Sequence, residues 1–271
     1  MRMTCLVLGV LYLAGTRLHA QQDTVSRALI RKSEVFTVLG FGAAAAAISP
    51  ADERLARWIR GPGVQGSSLQ TAADVFNFVG DPGAVIASAG LWVFGAATHR
   101  RPVMDAGLHI GESVVASGII TAALKVVLGR ARPYVSADTN SRDLQFLRGR
   151  KGGQYQSLPS GHTTAAFAFA SATVSEAATW APRQRWVRPV AYSAATLVAL
   201  ARMYDDKHWA SDVLLGAGIG IASAKATVRI NHARPANWLD RLLLPSESGA
   251  FHMSVWHSGD GRTNVGLTRA W

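Results

Sequence analysis

Three polar clusters lie at the ends of otherwise apolar segments, and the first of them contains two cations. Lys125 lies within an apolar run, and Arg132 follows it seven residues later, directly before Pro133. A charged side chain in an apolar run is costly unless it is paired. Proline favours an extended conformation at the preceding residue and indicates that the helix ends there. Taken alone, two cations spaced in this way would usually lie on a solvated helix edge, and an anion site is the alternative.

The second cluster is the tetrapeptide Pro159-Ser160-Gly161-His162, which an apolar segment follows. Glycine allows the backbone to approach a ligand closely, and backbone N–H groups at a helix start bind anions. Ser160 adds a hydroxyl donor, and His162 can donate or accept a proton near neutral pH. The same tetrapeptide also fits an ordinary turn and helix cap with a surface histidine.

The third cluster consists of Arg202, His208 and Asp212. His208 and Asp212 are four residues apart and would share one face if they lay on the same helix. A carboxylate that accepts a hydrogen bond from one imidazole nitrogen leaves the other nitrogen free to attack. A histidine–aspartate pair on a helix surface is the alternative interpretation.

Considered together, the clusters offer three cations, an anion-binding helix start and two histidines. This set suits the attack of a histidine on a tetrahedral oxyanion whose charge is held by arginine side chains. No cysteine site, His-x-x-x-His pair or carboxylate cluster in the sequence indicates a metal. We therefore predict metal-independent phosphoryl transfer, with no metal ligand and no cofactor.

Six alanine-rich apolar segments must position these clusters, and none shows the alternation of a strand. They are Val35–Ile48, Gly83–Thr98, Leu108–Leu128, Thr163–Thr179, Val190–Leu200 and Val213–Val228. The segments predict an all-α bundle of six helices. Several are at or below the length that a bilayer requires, so a membrane-embedded bundle and a globular bundle both remain open.

The composition of this 271-residue chain limits the classes of molecule that it is expected to bind. Hydrophobic residues make up 49% and charged residues 17%, with a formal net charge of +11. No dense basic run with interleaved aromatic residues occurs, so nucleic acid is not expected as a partner. Cys5 is the single cysteine, which excludes an intrachain disulfide. An anionic membrane surface or an anionic substrate fits the basic balance better.

The chain divides into three predicted parts. Residues 1–20 resemble a secretory signal, with a basic start and a short apolar stretch. Residues 21–245 form the helical domain, and residues 246–271 form an accessory β-hairpin around Ser258-Gly259-Asp260-Gly261. If all six helices cross the membrane, a cleaved signal and the positions of the arginine-rich turns predict opposite orientations. We expect export, with either a membrane-embedded site that faces the periplasm or a soluble periplasmic bundle.

The order and spacing of the clusters resemble the signature of one superfamily: type 2 phosphatidic acid phosphatases, bacterial class A acid phosphatases and vanadium haloperoxidases. That signature reads K-x(6)-R-P, then P-S-G-H, then S-R-x(5)-H-x(3)-D, and the resemblance covers roughly residues 105–225. Ala201 departs from it, because the family usually has serine before the third-motif arginine. This departure predicts altered hydrogen bonding near Arg202 rather than inactivity.

The resemblance implies a helical bundle with the site at one end and a role for each matching residue. His208 would attack phosphorus, Asp212 would orient it, and His162 would protonate the leaving alcohol and then activate water. The implied phosphate-binding residues are Lys125, Arg132, Ser160, Gly161 and Arg202. Vanadate would act as an inhibitor.

The substrate and two rival functions stay open at this point. Lipid phosphates are expected, namely phosphatidic acid, phosphatidylglycerol phosphate or undecaprenyl pyrophosphate, whereas a soluble form would favour small phosphoesters. One rival is a vanadium-dependent haloperoxidase with vanadate as cofactor. The other is a non-catalytic membrane or binding protein on the same fold. The sequence does not predict the oligomeric state.

Overall fold

A computed structural model describes residues 30–135, 140–233, 251–257 and 263–269 of the protein. The helices in these ranges are α1 (Lys32–Ile48), α2 (Asp52–Ile59), α3 (Ser67–Phe78), α4 (Ala84–Ala97), α5 (Arg101–Leu128), α6 (Gly161–Trp180), α7 (Val187–Tyr204) and α8 (Ala210–Ala233). The six predicted apolar helices correspond to α1 and α4–α8, so the helical prediction is confirmed. Helices α2 and α3 are additional.

The two additional helices were missed because neither is a long apolar run. Helix α2 begins with three charged residues and has a fourth among its apolar residues, and α3 mixes serine, glutamine and asparagine with its apolar residues. A short helical turn, Val79–Gly83, joins α3 to α4. Helices α2 and α3 therefore add polar side chains to a bundle whose other helices are mostly apolar.

Two strands near the C-terminus pair with each other. Strand β1 (Phe251–His257) runs antiparallel to β2 (Thr263–Arg269), with Phe251 opposite Arg269 and His257 opposite Thr263. The turn that the Asp-Gly pair predicts lies outside the described residues, so the complete hairpin remains a prediction. The proposed signal at residues 1–20 and the domain boundary at residue 245 also lie outside them.

Helix α8 packs closely against α6 in the core of the bundle, and two glycines permit this approach. A Cβ atom on Gly216 would lie 2.8 Å from the carbonyl oxygen of Ser160, and one on Gly220 would lie 2.4 Å from that of Thr164. Small residues four apart on one helix face allow two helix backbones to approach closely. The start of α6 is thereby held against the first turns of α8.

Four helical segments have the length and apolar composition to cross a membrane. They are Lys32–Ile59, Ser67–Ala97, Arg101–Leu128 and Ala210–Ala233. Large apolar side chains are exposed along them, including Val115 and Ile119 on α5 and Phe94 on α4. Exposed apolar surface of this kind indicates contact with lipid or with a protein partner. The four segments therefore support a membrane location.

Candidate active site

The last turn of α5 and the loop after it carry the first predicted cluster. Helix α5 ends at Leu128, and Gly129 follows with a left-handed φ of 54°. A Cβ atom there would lie 2.2 Å from the carbonyl oxygen of Gln145, so only glycine fits. Arg132 therefore lies in the loop after the turn and not two helical turns along α5. Its backbone N–H donates to the Gln154 carbonyl oxygen at 2.9 Å.

Lys125 connects this first cluster to the second. Its Nζ donates to the carbonyl oxygen of Gln156 at 2.6 Å. A Cβ atom on Gly161 would lie 3.5 Å from Lys125 Cε, so the lysine stem lies against the start of α6. Thr121, one turn earlier on α5, has a buried hydroxyl without a hydrogen-bond partner in the described structure. The ammonium group is thus held beside the predicted anion site.

Helix α6 begins at Gly161, with Ser160 as the residue before it. The first N–H groups of a helix have no partners within the helix and carry a partial positive charge. The Ser160 N–H donates to the Asp212 carbonyl oxygen at 3.1 Å, which joins the second cluster to the third. Ser160 is fully buried, and its hydroxyl accepts a hydrogen bond from Thr163 at 2.9 Å. This helix start has the geometry of an anion-binding site.

His208 lies in the loop that precedes α8, and a backbone carbonyl holds its imidazole ring. The Nδ1 atom is 2.7 Å from the carbonyl oxygen of Ser157. Because a carbonyl oxygen only accepts hydrogen bonds, Nδ1 carries the proton and Nε2 keeps a lone pair. Burial, together with the nearby charges of Lys125 and Arg132, lowers the pKa of His208 to about 3, although Asp212 acts in the opposite direction. The ring is therefore neutral at neutral pH, with Nε2 able to act as a nucleophile.

Asp212 does not accept a hydrogen bond from this ring directly, which differs from the expectation of a shared helix face. Its Oδ2 atom is 3.7 Å from His208 Nδ1. The same oxygen accepts from the Ser157 hydroxyl at 2.5 Å and from the Trp209 N–H at 2.9 Å. Asp212 therefore fixes the residues on both sides of the imidazole, and the contact to the ring passes through Ser157.

A buried arginine that we had not predicted as a site residue holds Asp212. Arg130 Nη1 donates to Asp212 Oδ1 at 2.5 Å, and Arg130 Nη2 donates to Asp52 Oδ2 at 2.8 Å. Ser211 also donates its hydroxyl to Asp52 at 2.5 Å. One buried guanidinium thus lies between two carboxylates, and this network positions the loop that carries His208.

The two arginines of the predicted phosphate site have different surroundings from Arg130. Within the described ranges, the Nε atoms of Arg132 and Arg202 are buried and have no hydrogen-bond partner. Arg202 Nη1 donates to Asn77 Oδ1 at 2.8 Å, which orients this guanidinium. A buried donor without a partner costs about 1–3 kcal/mol. Two such donors favour the binding of an anion that would satisfy them.

His162 lies in the first turn of α6 among the same cations. Burial, together with the charges of Arg202, Lys125 and Arg132, lowers its pKa to about 4. Asp81 acts in the opposite direction. His162 is therefore neutral at neutral pH until negative charge enters the site.

All eight predicted site residues lie at the same end of the bundle. They are on, or directly beside, the end of α5, the start of α6, the end of α7 and the start of α8. The residues that we missed are supporting ones: Asp52, Asn77, Asp81, Arg130 and Ser157. Arg130 was the most accessible of them to sequence reasoning, because it lies two residues before Arg132 in Gly129-Arg130-Ala131-Arg132. Asp52, Asn77 and Asp81 are contributed by α2, α3 and the turn after α3.

The profile of the PAP2 superfamily matches residues 106–236, which include every one of these predicted residues. This part of the chain is similar to the PAP2 superfamily. The matched region runs from α5 through α8 and so excludes α1–α4. The supporting residues Asp52, Asn77 and Asp81 therefore lie outside the matched region.

Three known proteins are similar to parts of this chain or to its fold. The chain is 40% identical over 83 residues to the lipid A 1-phosphatase of Porphyromonas gingivalis, a match that spans 30% of this chain and 18% of that relative. Its fold is similar to that of the transmembrane PAP2-type phosphatidylglycerolphosphate phosphatase from Bacillus subtilis, with a TM-score of 0.52 and 18% identity. That likeness covers 75% of this chain and 98% of the other. LpxE of Aquifex aeolicus matches with a TM-score of 0.48 and 20% identity, over 65% and 93% of the two chains.

Proposed function

We propose that the protein is a metal-independent phosphatase that hydrolyses phosphorylated lipids through a phosphohistidine at His208. The proposal rests on a nucleophile and anion-binding donors that lie in the same site. His208 presents an unprotonated Nε2 atom, and the buried Nε donors of Arg132 and Arg202 have no partner among the described residues. A phosphate group would satisfy the donors and offer its phosphorus atom to the lone pair.

The chemistry follows from the charges. Lys125, Arg132 and Arg202 bind the equatorial oxygens of the phosphate and stabilise the charge of the transition state. His208 Nε2 attacks phosphorus, and the bond to the leaving oxygen breaks. The bound phosphate dianion raises the pKa of His162 above its value of about 4 in the free site, so that His162 becomes protonated.

His162 then acts twice. It donates its proton to the leaving alkoxide and so becomes a general base. In the second step it accepts a proton from water, whose oxygen attacks the phosphohistidine and releases inorganic phosphate. His208 returns to the neutral ring with Nδ1 protonated, and the carbonyl oxygen of Ser157 stabilises that tautomer throughout.

A lipid substrate agrees with the surroundings of the site. The site lies at the ends of helices that are long and apolar enough to cross a membrane, including α5 and α8. Phosphatidic acid, phosphatidylglycerol phosphate and undecaprenyl pyrophosphate are the candidate substrates. The similarity to a lipid A 1-phosphatase adds phosphorylated lipid A. We further propose that the site faces the periplasm, so that the enzyme acts on the outer leaflet of the inner membrane.

The test is a phosphate-release assay over these four lipids in detergent micelles containing EDTA. It compares the wild type with His208→Ala and with His99→Asn, which alters an exposed histidine away from the site. We expect the His208 variant to lose at least about 10⁴-fold in activity, as removal of a nucleophile does, whereas the His99 variant keeps it. Wild-type protein that released no phosphate, or that oxidised bromide when supplied with vanadate and peroxide, would favour the non-catalytic or the haloperoxidase alternative.

A further inference from the structure

A second cluster of titratable side chains lies on three helices and takes no part in the proposed reaction. Glu176 Oε1 on α6 is 2.8 Å from His109 Nδ1 on α5 and 3.0 Å from His232 Nε2 on α8. The two imidazole rings meet edge to face, with their centroids 5.4 Å apart. One carboxylate oxygen and two ring nitrogens thus converge on one point.

The cluster lies at the opposite end of the bundle from His208. His109 precedes Lys125 by 16 residues, which is about 24 Å along a helix at 1.5 Å per residue. Glu176 follows His162 by 14 residues on α6, which is about 21 Å. Along α5 and α6, therefore, the distance from the cluster to the candidate active site is about two-thirds or more of the hydrocarbon thickness of a bilayer.

We propose that His109, Glu176 and His232 bind a divalent first-row transition metal ion, and that Zn²⁺ is the ion that fits best. Two imidazoles and one carboxylate form a common protein ligand set for zinc, with a fourth position for water. Their ligand atoms all lie within 4.8 Å of one another. Tetrahedral bonds of about 2.0–2.2 Å require ligand atoms about 3.3 Å apart, so the two contacts to Glu176 Oε1, at 2.8 and 3.0 Å, need to widen by about half an ångström or less.

The surroundings of the three ligands support a metal site. The indole Nε1 of Trp180 donates to Glu176 Oε2 at 3.1 Å, which holds the carboxylate with Oε1 towards the histidines. Groups that hydrogen-bond to a ligand in this way orient it for the metal. His109 and Glu176 are buried, but 30% of the His232 side chain is exposed, which leaves a path for an ion from solvent.

Charge also favours a cation at this point. With both histidines neutral, the cluster carries the single negative charge of Glu176. Binding requires a lone pair on each of the two facing nitrogens, which a neutral imidazole provides when its proton is on the other ring nitrogen. A bound ion would tie the first half of α5 to the ends of α6 and α8, next to the hydrogen bond from Asn231 on α8 to Glu112 on α5.

The experiment measures Zn²⁺ and Co²⁺ binding to full-length protein in detergent, purified with an affinity tag that contains no histidine. We expect one equivalent of Zn²⁺ per chain and a higher melting temperature with Zn²⁺ than with EDTA. Co²⁺ should give the visible absorption of a tetrahedral site with nitrogen and oxygen ligands. Trp180→Phe should weaken binding about 10-fold, as loss of a group that orients a ligand does.

The decisive variants are His109→Ala and His232→Ala, with His99→Asn as the matched control. Each ligand variant should bind at least about 100-fold more weakly than the wild type, and the control should bind equally well. His232→Ala keeps the test valid if the buried His109→Ala fails to fold. Wild-type protein that binds no equivalent of Zn²⁺, or a His232→Ala variant that binds as tightly as the wild type, would overturn the proposal.

Discussion

The two ends of the helical bundle both gather histidines and charged side chains, but they differ in how far the protein satisfies them. Around His208, cations are in excess, and the Nε atoms of Arg132 and Arg202 have no partner in the described structure. Around Glu176, a carboxylate accepts from two histidines and from Trp180. The first arrangement suits an incoming anion and the second an incoming cation.

Buried charge also has two different uses within the end of the bundle that contains His208. Arg130 makes every contact that its position allows, to Asp52, Asp212, Ser211 and the Ser141 carbonyl oxygen. In the described structure, Arg132 and Arg202 each keep an Nε donor without a hydrogen-bond partner. We expect a saturated arginine, whose donors are all bonded, to fix geometry, and an unsaturated one to bind substrate. Substitutions can separate these two roles.

The largest expected effect concerns the saturated arginine. Arg130→Met leaves the carboxylates of Asp52 and Asp212 buried without their cation, and breaking such a pair costs about 3–5 kcal/mol. We expect a marked fall in melting temperature together with loss of activity. Thermal unfolding in micelles measures the first, and phosphate release the second. A variant as stable as the wild type would show that the network does not hold the His208 loop.

The unsaturated arginines should show the reverse pattern. Arg132→Ala and Arg202→Ala each remove donors to the transition state, so kcat/KM should fall by about 10²–10³-fold. Their melting temperatures should change little, because each substitution also removes an unsatisfied buried donor. Lysine at either position should restore activity only in part, since it lacks the planar fork of arginine. Unfolding as severe as that of Arg130→Met would remove the distinction between the two roles.

Acid should destabilise the active-site end in a defined range of pH. His208 and His162 have pKa values of about 3 and 4 in the fold, below the ordinary value of 6.5. The unfolded chain therefore binds more protons than the folded chain below about pH 6.5, so stability falls as pH falls from 6.5 towards 4. Melting temperatures measured in EDTA should follow this slope, and His208→Asn should flatten it. An equal slope in the variant would mean that other groups cause the acid sensitivity.

The smallest effect should come from the opposite end of the bundle. His232→Ala lies far from the phosphate site, so kcat/KM should stay within about twofold of the wild type when both are assayed in EDTA. The same comparison separates an effect of the chelator on stability from an effect on catalysis. Removing a metal bound at Glu176 would change the stability of the protein and leave the rate of the reaction unchanged. A fall of 100-fold or more in this variant would make the distant cluster part of the catalytic machinery.

The sequence predicted the helical fold, which the structure confirms, and the candidate site residues, whose roles stay predictions, for different reasons. Alanine-rich runs indicated six helices through composition alone, and the spacing of Lys125, Arg132, His162 and His208 indicated one type of chemistry. Residues that act through three-dimensional packing were not accessible. Asp52 reaches Arg130 across 78 residues, and in the distant cluster Glu176 is 67 residues from His109 and 56 residues from His232.

The orientation of His208 was also beyond sequence reasoning. The four-residue spacing to Asp212 suggested a direct contact, but α8 begins at Ala210, and the carbonyl oxygen of Ser157 takes that place. The effect of Ala201 stays a prediction: it is buried one residue before Arg202, and nothing in the structure shows what a serine there would contact.

The most direct test of the central claim is to trap phosphate on His208. In His162→Ala the water that cleaves the intermediate is no longer activated. A substrate such as p-nitrophenyl phosphate, whose leaving group needs no proton, should still react and leave phosphate on the protein. We expect an acid-labile, alkali-stable phosphoenzyme, with mass spectrometry locating the phosphate on the peptide that contains His208, and no label when His208→Ala is added. Label on a different residue, or equal labelling of the double variant, would contradict the account.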